Sequence, residues 1–305
     1  MALGYPELGY DKKLYILAFD HRGSFEKMVG GPAEKIQSAK ELIWEGFQRA
    51  VANGWAPKDA AGVLVDSQYG DKVAREAKAA GAILAMPVEK SGQEEFDFEY
   101  GDQFGDKILE YDPTFSKVLV RYNPEGDREL NERQTVKLRH LSEWLHERDR
   151  KFLFELLVPA TEEQLAQAGG DADRYDEEVR PQLMMEAIIQ LQNGGVEPDI
   201  WKIEGIENRE ACKEIAQLVR REGRDRVSCV VLGRGASDEK VDAWLRAGSG
   251  LPGYIGFAIG RSIFGDAVKA FAAAGDDYDR EAGAEQIAEK YRRFIDVYEG
   301  AEVAA

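Results

Sequence analysis

A lysine in the middle of an apolar strand is chemically conspicuous, and the segment Asp199-Ile200-Trp201-Lys202-Ile203-Glu204 holds one. Side chains alternate along a strand, so Trp201 and Ile203 share one face while Ile200, Lys202 and Glu204 share the other. The apolar face can pack on helices, and the lysine face then points into the centre of the fold. Burial favours the neutral amine. A neutral lysine attacks carbonyl carbons and gives a Schiff base. The plainer alternative is a lysine whose stem is covered and whose ammonium reaches water.

Three further features share this chemistry. Glu155 lies inside the apolar run FLFELLV, which turns it inward. It reads either as a structural ion pair with Lys202 or Arg121, or as a general acid/base whose pKa is raised by burial. Two turns, Gly233-Arg234-Gly235 and Gly260-Arg261-Ser262, each follow a strand and precede a helix. Glycines let backbone N–H groups approach an anion, helix N-termini favour negative charge, and arginine adds charged donors. Tight turns with solvated arginines are the competing reading. Asp20, followed by His21 and Arg22, ends the first apolar run, Asp66 ends the second, Glu89 and Lys90 follow the third, and Arg121 ends the fourth.

These residues need a scaffold that brings strand ends together. Apolar runs recur at Tyr15 to Asp20, Ala61 to Asp66, Ala82 to Pro87, Phe115 to Arg121, Lys151 to Val158, Asp199 to Glu204, Ser228 to Leu232 and Tyr254 to Ile259. Between them lie stretches of helical period, such as Ala33 to Asn53 and Glu129 to Arg148. Continuous apolar strands alternating with helices indicate a parallel sheet covered on both faces. Eight such units in 305 residues predict a single (β/α)8 barrel spanning residues 1–305. A doubly wound sheet would carry a glycine-rich turn after its first strand, and Asp20-His21-Arg22-Gly23 is not one. The stretch Glu89 to Asp112 reads as a long acidic, aromatic loop. Active sites of such barrels lie at the C-terminal strand ends, where all the residues named above fall.

Composition narrows the partners. The formal charge is −17, with 44% hydrophobic and 32% charged residues. No basic stripe is present, which argues against nucleic acid and an anionic membrane as partners. No apolar run approaches the roughly 18 residues that span a bilayer. Met1 to Pro6 lacks the pattern of a signal peptide. Two cysteines, Cys212 and Cys229, suit a reducing cytoplasm. Of the three histidines only His21 sits at a strand end, so a histidine-built metal site is not expected. An all-oxygen magnesium site from Asp20, Asp66, Glu155 or Glu204 is the metal-dependent rival. A homo-oligomer is compatible with the sequence.

The segments LAFDHRG, VLVDSQYG, VEKSG, FLFELL, DIWKIE and AIGRS resemble, in order, segments of the tagatose-1,6-bisphosphate aldolase family over about Leu14 to Val268. Those enzymes are class I aldolases with a barrel fold. LAFDHRGSFEK, MPVEKSGQEEFDFEYG, VLVRYNPEGD, FELLVPAT, EPDIWKIEG and VLGRG look still more like the aldolase-like C-terminal domain of the 5-dehydro-2-deoxygluconokinase proteins of bacterial inositol catabolism, here standing without a kinase domain. The resemblance implies a covalent Schiff base without a cofactor. It implies cleavage of 5-dehydro-2-deoxy-6-phosphogluconate to dihydroxyacetone phosphate and malonate semialdehyde.

Carried over by position, Lys202 resembles the Schiff-base lysine, Glu155 the acid/base, Asp20 an aspartate at the reacting centre, and Gly260 and Arg261 part of the phosphate site. Gly233, Arg234 and Gly235 would complete that site. The strand-four lysine of the family is expected to be replaced by Arg121, which cannot shuttle a proton and would bind a carboxylate or tune Lys202. Lys90 and Arg22 are further carboxylate candidates, and Lys90 is the rival nucleophile. Other readings are an aldolase for a different ketose phosphate, a metal-dependent lyase or epimerase, and a sugar-phosphate sensor.

Overall fold

A computed structural model describes Tyr5 and residues 7–300, Asp276 by its backbone alone. Eight parallel strands close into a barrel in sequence order: β1 (Leu14–Ala18), β2 (Ala61–Leu64), β3 (Ile83–Pro87), β4 (Phe115–Arg121), β5 (Lys151–Leu157), β6 (Ile200–Glu204), β7 (Ser228–Leu232) and β8 (Tyr254–Ile259). The single (β/α)8 barrel expected from the alternation of strands and helices is the observed fold. The helices around it are α1 (Gly23–Val29), α2 (Ala33–Ala52), α3 (Ser67–Ala79), α4 (Phe104–Tyr111), α5 (Arg128–His146), α6 (Glu162–Gln167), α7 (Ala172–Glu178), α8 (Arg180–Asn193), α9 (Arg209–Val219), α10 (Asp238–Gly248), α11 (Arg261–Ala274) and α12 (Arg280–Tyr298). None of the described helices is long and apolar enough to cross a membrane.

Strand pleating divides the core in two. Trp201 and Ile203 of β6, with Phe152, Phe154 and Leu156 of β5, face the helices in one large cluster. Leu14, Ile16, Leu64, Ala85, Phe115, Leu153, Ile200 and Val230 face inward and fill the barrel. One pleat above Phe115, Leu153 and Ile200 stand Lys117, Glu155 and Lys202, all buried. The barrel is therefore apolar below and ionic above, and the side-chain period of two makes the change abrupt.

The stretch after β3 differs from the expected loop. Glu89 and Phe98 form an antiparallel bridge, and α4 follows. Phe98 stacks on Phe104 with ring centroids 4.3 Å apart, and Phe104 meets Trp144 edge-on. Eight residues are too few to display a helical period convincingly, which hides α4 in the sequence. The short helices α1, α6 and α7 escape notice for the same reason.

The barrel closes where β1 meets β8. Leu14 pairs with Gly256, whose φ is +151°, and a Cβ there would lie 1.8 Å from the Leu14 carbonyl oxygen. Gly256→Ala must push the seam apart. We expect it to lower stability by about 3 kcal/mol, the upper part of the ordinary range for point substitutions. Urea denaturation measures this, and a loss under about 1 kcal/mol would show the seam to be tolerant.

Candidate active site

Lys117 of β4 stands between three carboxylates at the upper end of the barrel. Its Nζ lies 2.7 Å from Asp20 Oδ2, 2.8 Å from Glu89 Oε1 and 3.0 Å from Glu155 Oε2. Lys202 Nζ lies 3.0 Å from the same Glu155 oxygen. Register brings this about, since Glu155 and Lys202 are paired across β5 and β6, and Lys117 of β4 is paired with Leu153, two residues before Glu155 on β5. Lys117 is 1% exposed and Lys202 3%, so neither ammonium is shared with bulk water.

Burial alone would lower the pKa of Lys117, but Asp20, Glu155 and Glu89 outweigh it and hold this amine well above the ordinary lysine range. Burial would raise Asp20 and Glu155. The facing ammoniums of Lys117 and Lys202 prevail instead, and both carboxyls titrate below their usual range. Glu155 thus departs from the expectation of a pKa raised by burial, because two cations flank it. Glu89 goes the other way. Burial raises it and Asp20 adds repulsion, while Lys117 and Arg22 only partly compensate. Burial also pushes the His21 imidazole down to about 4, so it is neutral near pH 7.

All eleven residues singled out by sequence line one cavity of about 820 Å³ at the C-terminal ends of the strands. Their contacts divide them. Arg121 ends β4 at the cavity mouth and donates to the Gln93 carbonyl at 2.9 Å, while a lysine, Lys117, stands two pleats deeper on the same face. Arg22 is already engaged, by the Glu89 carbonyl at 2.8 Å and Glu99 at 3.1 Å. Arg234 is held by Asp176 at 2.5 Å and Glu204 at 3.2 Å. Arg261, Lys90 and Arg121 line the cavity without a carboxylate partner among the described residues, as does Lys27.

The two glycine-arginine turns lie side by side. Arg261 donates to the Arg234 carbonyl at 3.0 Å, and Ser262 Oγ to the Ala236 carbonyl at 3.0 Å. Gly235, at φ +72°, gives Arg261 its seat, since a Cβ there would stand 3.0 Å from the guanidinium carbon. Gly260 caps α11, whose first N–H groups open toward the cavity end of the barrel. Glycines, a helix start and an arginine without a carboxylate partner among the described residues stand together there, features that suit an anion. No group of three or more His, Cys, Asp or Glu residues among those described is arranged to hold a metal. The four acids weighed as an oxygen cluster are each paired with cations, two of them with the same one. Asp66 pairs with Lys40, Glu204 with Arg180 and Arg234, and Asp20 and Glu155 with Lys117.

Sequence reasoning overlooked Lys117 and left Glu89 without a role. The alternation that turned Lys202 inward also applies to Phe115, Lys117, Leu119 and Arg121, and would have found Lys117. Asp20 provides a check on the electrostatics. Its folded pKa is depressed, so its stabilising effect is complete above the unfolded value of 3.8 and fades as pH falls below it. The loss of stability in Asp20→Asn should therefore be larger at about pH 7 than at about pH 3 in urea titrations. An equal loss at both would mean that the pairing with Lys117 carries no weight.

Tagatose 1,6-diphosphate aldolase 2 from Streptococcus pyogenes serotypes M1, M18 and M6 is 26% identical over 161 residues, covering 50% of this chain and 47% of those proteins. The chain thus spans about half the length of the curated relatives it matches. A fructose-bisphosphate aldolase from Plasmodium falciparum, solved with TRAP and a small-molecule inhibitor, superposes with a TM-score of 0.65 over 99% of this chain and 94% of that one, at 12% identity. A Schiff-base-forming fructose-1,6-bisphosphate aldolase gives 0.54 over 91% and 93%, at 13% identity. At such identities the structural likeness is one of fold. A family described as "Uncharacterized protein conserved in bacteria (DUF2090)" matches residues 8–302, and the chain belongs to that family.

Proposed function

We propose that the protein is a class I aldolase that cleaves a phosphorylated keto sugar acid through an imine on Lys202. The observation that carries this reading is a buried lysine, 3.0 Å from a carboxylate and beside a second, fixed ammonium, in a cavity that also holds the two glycine-arginine turns. Lys117 has three carboxylates around it and is committed to the cationic form. Lys202 has one, and so is the amine suited to attack.

In the reaction we infer, Lys202 hands a proton to Glu155 and adds to the substrate ketone. The carbinolamine loses water to form an iminium ion. The bond between the α carbon and the hydroxyl-bearing β carbon then breaks, its electron pair forms the enamine double bond, and the iminium π pair passes to nitrogen. The proton of the β-hydroxyl passes to Glu155, and the aldehyde departs. Protonation of the enamine carbon and hydrolysis return the amine. Asp20 and Lys117 orient the substrate hydroxyls. Arg261, with the backbone of Gly233, Gly235 and Gly260, holds the phosphate at the end near β7 and β8, which fixes its distance from the ketone.

The unpaired cations Arg121 and Lys90 lie toward β3 and β4, where a carboxylate would fit. A planar fork suits that group. A substrate with a phosphate at one end and a carboxylate at the other matches this layout. With the sequence resemblance, it points to 5-dehydro-2-deoxy-6-phosphogluconate, a compound of inositol catabolism.

Borohydride reduction with dihydroxyacetone phosphate should leave a stable adduct, which peptide mass spectrometry should locate on Lys202. Lys202→Ala should lose both the adduct and turnover while keeping its melting temperature. An adduct on Lys90, or none on the wild type, would remove the mechanism. Arg121→Ala should raise KM for the keto sugar acid by about 10- to 100-fold, the value of a charged hydrogen bond. It should leave trapping of dihydroxyacetone phosphate unaffected, because that compound has no carboxylate. Equal loss with both compounds would move Arg121 out of carboxylate recognition.

A further inference from the structure

The turn that delivers Asp20 to the site leaves the sheet before it arrives. The Phe19 N–H donates to the Leu64 carbonyl at 2.8 Å, and beyond it the chain bends through Asp20 and His21 toward α1. The carbonyls on either side of Asp20 would then lack ladder partners. Both are taken by one side chain. Lys40, on α2 outside the barrel, donates to the Phe19 carbonyl at 2.5 Å and the His21 carbonyl at 3.0 Å. Its third bond goes to the Asp66 carboxylate. An ammonium has three N–H donors, and all three are used.

Lys40 is 0% exposed and does not line the cavity. Its Nζ lies 4.8 Å from the centre of the Phe25 ring and 6.0 Å from that of Phe19. Asp66 is fixed in turn, accepting from the Tyr69 N–H at 2.8 Å as the cap of α3. An ion pair placed here only for stability could give way to apolar residues, since burying charge is expensive. Two backbone carbonyls flanking an active-site aspartate give this ammonium a more specific task.

We propose that Lys40 is a positioning residue, which clamps the carbonyls beside Asp20 and so sets the Asp20 carboxylate against Lys117. The same clamp holds His21 against the phosphate turn, where a Cβ on Gly260 would come within 3.1 Å of the imidazole. This inference rests on the aldolase reading for its effect on rate, but not for its effect on Asp20.

The test compares the wild-type chain with Lys40→Met, Asp20→Asn and the double variant. The readouts are the rate of borohydride trapping with dihydroxyacetone phosphate and the melting temperature. Lys40→Met should slow trapping by about 10- to 100-fold, the scale of a small misplacement of a reacting group. The double variant should be no slower than Asp20→Asn alone, because both act through one carboxylate. Losses that multiply in the double variant, or wild-type trapping in Lys40→Met, would overturn the proposal. If Lys40→Met does not fold, Lys40→Met with Asp66→Asn removes both buried charges and serves the same comparison.

A wild type that gives no adduct would end the aldolase reading and leave the clamp to a second measurement. Titration of the Asp20 carboxyl by carbon-13 NMR should then show its midpoint higher in Lys40→Met than in wild type. An unchanged midpoint would refute the clamp.

Discussion

The ionic half of the barrel depends on Lys117. Three carboxylates converge on a single buried ammonium, which offsets part of the cost of burying each of them. Asp20 comes from the end of β1, Glu89 from the loop after β3 and Glu155 from β5, so one side chain ties together parts of the chain far apart in sequence. Lys202 joins this group at its edge through Glu155. The two lysines are alike in chemistry and burial, and differ in how many carboxylates hold them. In the proposed mechanism, that difference separates a fixed charge from the group that reacts.

The charge of the whole molecule sharpens the contrast. A chain with a formal charge of −17 has acids available for most of its cations, and most are paired. The described lysines and arginines of the cavity that escape pairing are Lys27, Lys90, Arg121 and Arg261. They gather around one opening, where the field of a few cations is focused by low-dielectric walls. An anionic ligand finds attraction there despite the net charge.

Much of this was legible in the sequence. The bounds of β4, β7 and β8 fall where the apolar runs begin and end, and the alternation in DIWKIE places Lys202 and Trp201 on opposite faces, as found. The cavity also gathers the eight chosen side chains and the three chosen glycines. What the sequence could not disclose were the partners. Arg22 and Arg234 look as free as Arg261 in their local motifs, yet Glu99 lies 77 positions away from the first and Asp176 58 from the second. Only the fold brings those acids close. Lys117 is a different case, because its face was readable by alternation and was passed over for the more conspicuous arginine at the strand end. The pKa of Glu155 was misjudged for a related reason. Burial can be read from apolar neighbours in sequence, and Lys202 was weighed as a partner, but the second ammonium, that of Lys117, was not.

One carboxylate oxygen, Oε2 of Glu155, meets both amines. When Lys202 becomes an imine in the proposed cycle, that oxygen loses one neighbour and keeps the other. The glutamate then has no reason to swing away between covalent intermediates. A catalyst tethered in this manner can serve successive proton transfers from a fixed seat, with no conformational search between them.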